Sequence, residues 1–138
     1  MELSQDDITG FDKLLGVELK EATGDRVVIT CTVRPDLAQP YGILHGGVHC
    51  SLIESAASLG AALWFGERGN VVGVANHTNF LRATRKGTLT VTATPVQRGR
   101  TQQLWRVTVT NESGKDAATG EVRIANIASA DVLGNAPA

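Results

Sequence analysis

The sequence lacks the features of a secreted, disulfide-rich or membrane protein. It has only two cysteines, Cys31 and Cys50, too few for a disulfide framework or a cysteine metal site. Both lie in apolar stretches, which is typical of buried free thiols in a reducing compartment. The first seven residues are acidic and polar, which predicts no signal peptide. The longest apolar stretch, Val48–Phe65, contains a glutamate, a histidine and three serines and is a poor membrane span. We therefore expect a cytoplasmic protein.

Familiar cofactor-binding and catalytic motifs are also absent. The sequence contains no P-loop or dinucleotide-binding glycine fingerprint, no G-x-S-x-G elbow and no Ser-His-Asp order. The three histidines, His45, His49 and His77, lack the carboxylate or cysteine spacing of a metal site. We therefore expect no cofactor and no metal, and we expect His49 and His77 to be structural or surface residues.

Acidic residues are missing from one long segment. The formal net charge of −1 argues against a nucleic-acid-binding surface. Residues 68–111, however, carry seven positive charges and no acid, whereas the other 94 residues carry six bases and 14 acids. This division indicates a local anion site. The candidates at turns and strand ends are Arg82, Arg85, Lys86, Arg98 and Arg100. A solvated basic rim is the alternative.

The 138 residues suffice for one globular domain, predicted over 1–127, with a loose tail over 128–138. Hydrophobic periodicity and turn residues predict a helix over Asp6–Leu15, a strand over Arg26–Val33, a loop over Arg34–Leu44, a long helix over Gly46–Trp64, and strands over Asn70–Leu81, Thr88–Thr94, Gln103–Thr110 and Ala118–Ile127. The last four strands are predicted as a meander, and the long helix is apolar almost all round. This is an α+β design in which an antiparallel sheet wraps around one helix. Its edge strands would be protected by pairing in a dimer.

Two glycines open the long helix. The first N–H groups of a helix have no partner within it, and Gly46 and Gly47 let another molecule approach them closely. That is the geometry of an oxyanion hole or carbonyl-binding site. The alternative is that the glycines only ease packing of the loop on the helix. His45 lies at or near the N-cap, where it could donate to a carbonyl or organise the loop.

Glu54 is the only carboxylate between Asp36 and Glu67, and its neighbours in the long helix are apolar. An ionised carboxylate is costly to bury in such surroundings unless it is paired, which makes Glu54 a candidate general base. Cys50 and Ser58 lie one turn away on the same stripe. The alternative is a glutamate on a wet stripe of the helix or one that bridges to a partner subunit.

The spacing of these residues resembles the hotdog-fold thioesterases of the 4-hydroxybenzoyl-CoA thioesterase and PaaI-like group. The similarity covers roughly Phe11 to Ile127. The motifs that carry it are Gln39-x-x-Gly42-x-x-His45-Gly46-Gly47, then Glu54, Val71-Val72-Gly73, and Arg98-Gly99-Arg100 before Gln103-x-Trp105. The Gln39 and Glu54 pair, where many members have Asn and Asp, favours the aryl-CoA side of the group, including dihydroxynaphthoyl-CoA. Some members there carry histidines in place of Phe80 and Leu81.

The resemblance implies hydrolysis of acyl-CoA thioesters without a metal. It implies that Glu54 acts as nucleophile or general base and that the Gly46 N–H polarises the thioester carbonyl. It also implies that Gln39 and His45 orient the thioester or the water, with the Ser58 hydroxyl one turn past the acid. The residues expected to contact coenzyme A are Gly47, Arg82, Arg98, Gly99 and Arg100. The site is expected at a homodimer interface, with dimers paired into tetramers. A hotdog hydratase or dehydratase and a non-catalytic acyl-CoA-binding protein are the alternatives.

Overall fold

The computed structural model describes residues 2–129. Of the tail predicted over 128–138, Ala128 instead ends the last strand, and residues 130–138 lie outside the described range. Within these described residues the chain forms two α-helices and six strands. In chain order these are α1 (Gly10–Leu15), β1 (Glu18–Ala22), β2 (Val27–Thr32), α2 (Gly46–Phe65), β3 (Gly69–Phe80), β4 (Thr88–Arg98), β5 (Gln102–Thr110) and β6 (Asp116–Ala128). Short 3₁₀ turns occur at Gln5–Asp7, Pro35–Leu37 and Gly66–Arg68.

All six strands form one antiparallel sheet in the order β1-β2-β4-β5-β6-β3, and α2 packs against its inner face. The alternating strand positions predicted as apolar are the ones that meet the helix. Ile29, Val91, Trp105 and Val107 have no exposed surface, and neither has Leu52 on the helix. This confirms the α+β prediction of a sheet wrapped around one long helix.

The predicted four-strand meander is wrong for its first strand. Strands β4, β5 and β6 follow one another as antiparallel neighbours, but β3 pairs with β6 at the far edge of the sheet. The segment 81–87 after β3 crosses the N-terminal end of α2 instead of making a hairpin, and β4 then pairs with β2. As a result β3 and β1 are the two edge strands.

Two predicted boundaries also differ for local reasons. The helix predicted over Asp6–Leu15 is interrupted, because Ile8 and Thr9 are extended and Thr9 is the N-cap of α1. Strand β4 continues past Thr94 to Arg98, and its register with β5 shifts between Pro95 and Gln97. A bulge of this kind tolerates the proline, which cannot donate to the ladder.

Helix α2 with the turn after it, Gly46–Arg68, is long and apolar enough to cross a membrane by those two criteria alone. Half of its most apolar window is buried inside the fold. The core helix of a sheet-wrapped domain has the same properties, so the helix matches the core role that its sequence predicts.

Candidate active site

The N-terminus of α2 presents a backbone N–H without an acceptor. His45 is the N-cap, and its Nδ1 accepts a hydrogen bond from the Gly47 N–H at 2.8 Å. The His45 N–H donates to the Leu37 carbonyl at 2.9 Å, which fixes the preceding loop. Among residues 2–129, the Gly46 N–H has no hydrogen-bond acceptor. His45 therefore organises the loop, and the Gly46 N–H is left at the positive end of the helix dipole.

Gln39 and Gly46 line the same cavity of about 330 Å³. The loop that carries Gln39 is held closed by the Gln39 N–H, which donates to the Ile43 carbonyl at 2.8 Å. The Gln39 side-chain oxygen accepts from the Tyr41 N–H. Phe80 at the end of β3 packs over Gly46, where a Cβ would lie 3.0 Å from the ring. This contact explains the first glycine of the pair, because a larger residue would push against the ring.

His49 forms the buried wall of that cavity. Only 4% of its surface is exposed, and its ring centroid lies 6.1 Å from that of Phe80. Burial lowers the pKa of His49 below its ordinary value, because the charged imidazolium is poorly solvated there. Its Nδ1 has no hydrogen-bond partner among the described residues. His49 is thus buried, as expected of a structural residue, and it also lines the candidate site.

Glu54 lies about two turns beyond Gly46 in α2 and is half-buried in a separate cavity of about 290 Å³. The Asn76 side-chain amide of β3 donates to Glu54 Oε1 at 3.2 Å. Gly73, also on β3, lies directly against the carboxylate, because a Cβ at Gly73 would be 1.9 Å from Glu54 Oε2. The Glu54 carboxylate therefore occupies the space that a side chain at Gly73 of the Val71-Val72-Gly73 motif would fill. Ser58 lies one turn beyond Glu54 and is also half-buried.

Gly46 and Glu54 do not meet within one chain. Eight residues of α-helix separate them by about 12 Å along the axis. A carbonyl held by the Gly46 N–H is therefore out of reach of the Glu54 carboxylate of the same chain.

The predicted basic residues form two separate groups. Arg82 lies near Gly46, where its guanidinium donates to the Asp116 carbonyl at 2.7 Å, and Arg85 donates to the Tyr41 carbonyl at 3.2 Å. Arg98 and Arg100 lie at the other end of β4, which is about 33 Å long at 3.3 Å per residue. The prediction of one local anion site that includes all these residues is wrong within a single chain, because Arg82 and Arg98 lie near opposite ends of one strand.

The second basic group lines a cavity of about 660 Å³ at the C-terminal end of α2, together with Gly99, Trp64 and Arg68. The Arg98 guanidinium donates to the Gly24 carbonyl at 2.6 Å and to Asp25 at 2.8 Å. Arg68 instead lies 4.3 Å over the Trp64 ring. Arg98 is thus partly engaged in holding the β1–β2 turn, whereas Arg100 is exposed.

No sequence motif identifies Asn76, whose amide donates to Glu54, or Thr78, whose hydroxyl donates to Asn76. Their only sequence signal is their position in a predicted strand, which does not reveal the neighbouring element. In the part of the chain that the structure describes, no group of three or more metal-binding side chains comes together.

Comparison with known proteins identifies the family. A family model described as the thioesterase superfamily matches residues 41–118, which include Gly46, Glu54 and Asn76. The chain belongs to the thioesterase superfamily. A 1,4-dihydroxy-2-naphthoyl-CoA hydrolase of Listeria monocytogenes is 33% identical over 106 residues, or 77% of this chain and 86% of that protein.

Solved structures extend the similarity over nearly the whole chain. Thioesterase HI1161 from Haemophilus influenzae matches with a TM-score of 0.88 and 28% identity, covering 96% of each chain. AziG from S. sahachiroi matches with a TM-score of 0.86 and 46% identity, covering 88% of this chain and 98% of its own. This superfamily member is therefore a thioester hydrolase with the hotdog fold.

Proposed function

We propose that this thioesterase hydrolyses acyl- or aryl-CoA thioesters in a site shared between two copies of the chain. The observation that carries the proposal is the unpaired Gly46 N–H, which opens into one cavity with Gln39 whose lining among the described residues contains no carboxylate. A second copy must then supply Glu54. The dihydroxynaphthoyl-CoA hydrolase among the relatives supports an aryl-CoA substrate.

Edge strand β3 is the surface through which we propose that the two copies pair. Its outward residues Val72 and Val74 are 37% and 56% exposed, and an unpaired edge of this kind favours strand addition. Antiparallel pairing of two β3 edges about a twofold axis also makes the two α2 helices antiparallel. The N-terminal end of one helix then approaches the middle and C-terminal end of the other. This arrangement brings Gly46 of one copy towards Glu54 of the second.

In the proposed reaction, the thioester oxygen accepts a hydrogen bond from the Gly46 N–H, which stabilises the developing oxyanion. As general base, Glu54 takes a proton from water while the water oxygen attacks the thioester carbon. The tetrahedral intermediate collapses, the carbon–sulfur bond breaks, and the coenzyme A thiolate takes the proton. As nucleophile, Glu54 would instead attack the carbon itself, and breaking of the carbon–sulfur bond would release the coenzyme A thiolate and leave a mixed anhydride. Water then hydrolyses the anhydride to the free acid and the Glu54 carboxylate, and the released proton goes to the thiolate. Gln39 and Ser58 orient the thioester or the water, and His45 holds the loop.

Coenzyme A would extend from Gly46 of one copy towards the second basic group of the other. Arg98, Gly99 and Arg100 are then close to the phosphates, and Gly47 and Arg82 contact the thioester end. Of these, Arg100 is the most available ligand, because it is exposed whereas Arg98 already binds Gly24 and Asp25. Arginine suits this role because its guanidinium binds phosphate through two parallel hydrogen bonds. We further propose that the dimers pair into tetramers, that the enzyme is cytoplasmic, and that it uses no metal or cofactor.

The acyl group would contact Phe80 and Leu81, which are 57% and 51% exposed beside Gly46. Two large apolar side chains at this position favour an aryl or other apolar acyl group over a charged one.

A substrate panel tests the activity, with release of free coenzyme A thiol as the readout. We expect turnover of aryl- and fatty-acyl-CoAs and its loss in Glu54→Ala. The matched control is Glu18→Ala, which removes an exposed glutamate whose one ion pair among residues 2–129 is with Lys20. Full turnover by Glu54→Ala would refute the mechanism, and tight binding without hydrolysis by the wild type would favour an acyl-CoA-binding protein.

Complementation between inactive variants tests the shared site. A mixed dimer of Gln39→Ala and Glu54→Ala subunits keeps one site with both residues intact if each site draws on two copies. Random mixing of the two variants then restores about one quarter of wild-type activity, because half of the dimers are mixed and each has one intact site. No recovery in verified mixed dimers would contradict a shared site.

Label found in Glu54 after a single turnover in ¹⁸O-labelled water identifies the nucleophilic mechanism. A general base places the label directly in the released acid. A mixed anhydride opened at the protein carbonyl places the label in Glu54, where mass spectrometry of the peptide detects it.

A further inference from the structure

We propose that Asn76 and Thr78 of β3 are positioning residues that hold the Glu54 carboxylate in its reactive orientation. This inference rests on the proposed role of Glu54 in hydrolysis. It assigns a function to a β-bulge in the edge strand and to two polar side chains that no motif in the sequence identifies.

The bulge directs Asn76 towards the helix. On β6, Ile124 and Val122 are two residues apart and both face α2, where neither has exposed surface. Their partners on β3 are Gly73 and Asn76, which are three residues apart because the register shifts between Gly73 and Ala75. In a regular strand, two positions separated by three residues point to opposite faces. The extra residue therefore brings both Gly73 and Asn76 to the face that carries Glu54.

The hydrogen bonds fix the orientation of the Asn76 amide. Its nitrogen donates to Glu54 Oε1 at 3.2 Å and to the Cys50 carbonyl at 3.1 Å. Both partners are acceptors when the carboxylate is ionised, so the amide nitrogen and not its oxygen must face them. Thr78 lies on the same face and donates its hydroxyl hydrogen to Asn76 Oδ1 at 2.7 Å. The result is a chain of three side chains that runs from Thr78 through Asn76 to Glu54.

This chain leaves one carboxylate oxygen for chemistry. Oε1 of Glu54 is engaged by Asn76, whereas Oε2 has no protein donor among the described residues and lies against Gly73. The carboxylate is thus held on one side by a hydrogen bond and on the other by the strand backbone. We infer that Oε2 is the oxygen that activates water or attacks the thioester.

Kinetics of Asn76 variants test the role. Asn76→Ala removes the donor, and Asn76→Asp replaces it with an acceptor of the same size. We expect kcat to fall about 10- to 100-fold in both, the rate equivalent of one hydrogen bond to a charged group, with KM little changed. If Asn76 only stabilises the fold through its hydrogen bond to the Cys50 carbonyl, both variants will have a lower melting temperature and a wild-type kcat.

Thr78 provides a milder pair of variants for the case in which Asn76 variants fold poorly. Thr78→Val removes the hydroxyl without changing the size of the side chain, and we expect kcat to fall about 2- to 10-fold, as for one neutral hydrogen bond. Thr78→Ser keeps the hydroxyl and should restore kcat. In an Asn76→Ala background, Thr78→Val should have no further effect, because the two residues act through one interaction.

Comparison with Glu54→Ala separates the two hypotheses. If Glu54→Ala is inactive and folded Asn76 and Thr78→Val variants keep wild-type kcat, the positioning role is wrong and the proposed function stands. If Glu54→Ala keeps full turnover, the proposed mechanism fails and the positioning role fails with it. Both hypotheses are supported if Asn76→Ala lowers kcat in the wild-type background and the double variant Asn76→Ala/Glu54→Ala has the same residual rate as Glu54→Ala.

Discussion

Gly73→Ala tests the placement of the Glu54 carboxylate with a single methyl group. The added Cβ would lie 1.9 Å from Oε2 and 2.9 Å from the carboxylate carbon. A Cβ essentially never lies within 3.0 Å of a heavy atom from a non-neighbouring residue, so the oxygen has to retreat by about 1 Å. That movement also strains the 3.2 Å hydrogen bond from Asn76.

The expected effect is on kcat and not on folding. Misplacement of a reacting group by about 1 Å costs roughly 100-fold in rate. The backbone at Gly73 is not in the left-handed region, so alanine fits it without backbone strain. The obstructing atoms belong to the free end of a flexible side chain, which can move aside. We therefore expect kcat to fall about 100-fold while the melting temperature changes little.

Coenzyme A thiol release under saturating substrate measures kcat, and thermal melting checks the fold. The matched control combines Gly73→Ala with Glu54→Ala, where the carboxylate is gone and the methyl group has space. In that background Gly73→Ala should leave the residual rate unchanged. A folded Gly73→Ala variant with wild-type kcat would refute the reasoning, because the carboxylate would then tolerate displacement.

Three further variants or measurements test buried groups outside the reaction. Because burial lowers the pKa of His49, the imidazole takes up its proton at a lower pH in the folded chain than in the unfolded chain, which does so near pH 6.5. As the pH falls below about 6.5, the free energy of unfolding should decrease by up to about 1.4 kcal/mol per pH unit. Denaturation at pH 5.5 and at pH 7.5 should therefore give a smaller difference in unfolding free energy for His49→Leu than for the wild type. Gly60→Ala places a Cβ 2.5 Å from the buried Trp105 ring and should cost about 1–3 kcal/mol in denaturant unfolding; an unchanged midpoint would contradict this packing. Burial raises the pKa of the Cys31 thiol against the opposing effect of Arg34, so a thiol reagent should modify Cys31 only after unfolding, as peptide mass spectrometry can check.

The local part of the site could be predicted from the sequence because it lies within one loop and one helix. The glycines at the start of α2 and the isolated acid at Glu54 are separated by a fixed number of helical residues, so their relative position follows from helix geometry. The same holds for His45, whose place at the N-cap follows from the helix start. The hydrophobic alternation of the central strands likewise identified the core that meets α2.

The placement of the basic residues depends on which ends of the sheet meet, and spacing along the chain does not provide that. Arg82 and Arg98 lie near opposite ends of β4, so an extended strand already separates them. Arg82 and Arg98 can bind one ligand only if a second copy of the chain places its Arg98 end beside the Arg82 end of the first. The separation of the two basic groups in one chain is therefore consistent with the proposed dimer, and the complementation experiment tests the same arrangement through Gln39 and Glu54.

The environment of Glu54 could not be predicted because it depends on a pairing between β3 and β6 and on one extra residue within it. Alternation along β3 places Gly73 and Asn76 on opposite faces, and only the register against Ile124 and Val122 reveals that both face the helix. The bulge interrupts regular pairing at an exposed edge and directs the Asn76 amide towards Oε1 of the Glu54 carboxylate. If the kinetics of Asn76→Ala match the prediction, this irregularity is part of the active site and not a defect of the strand.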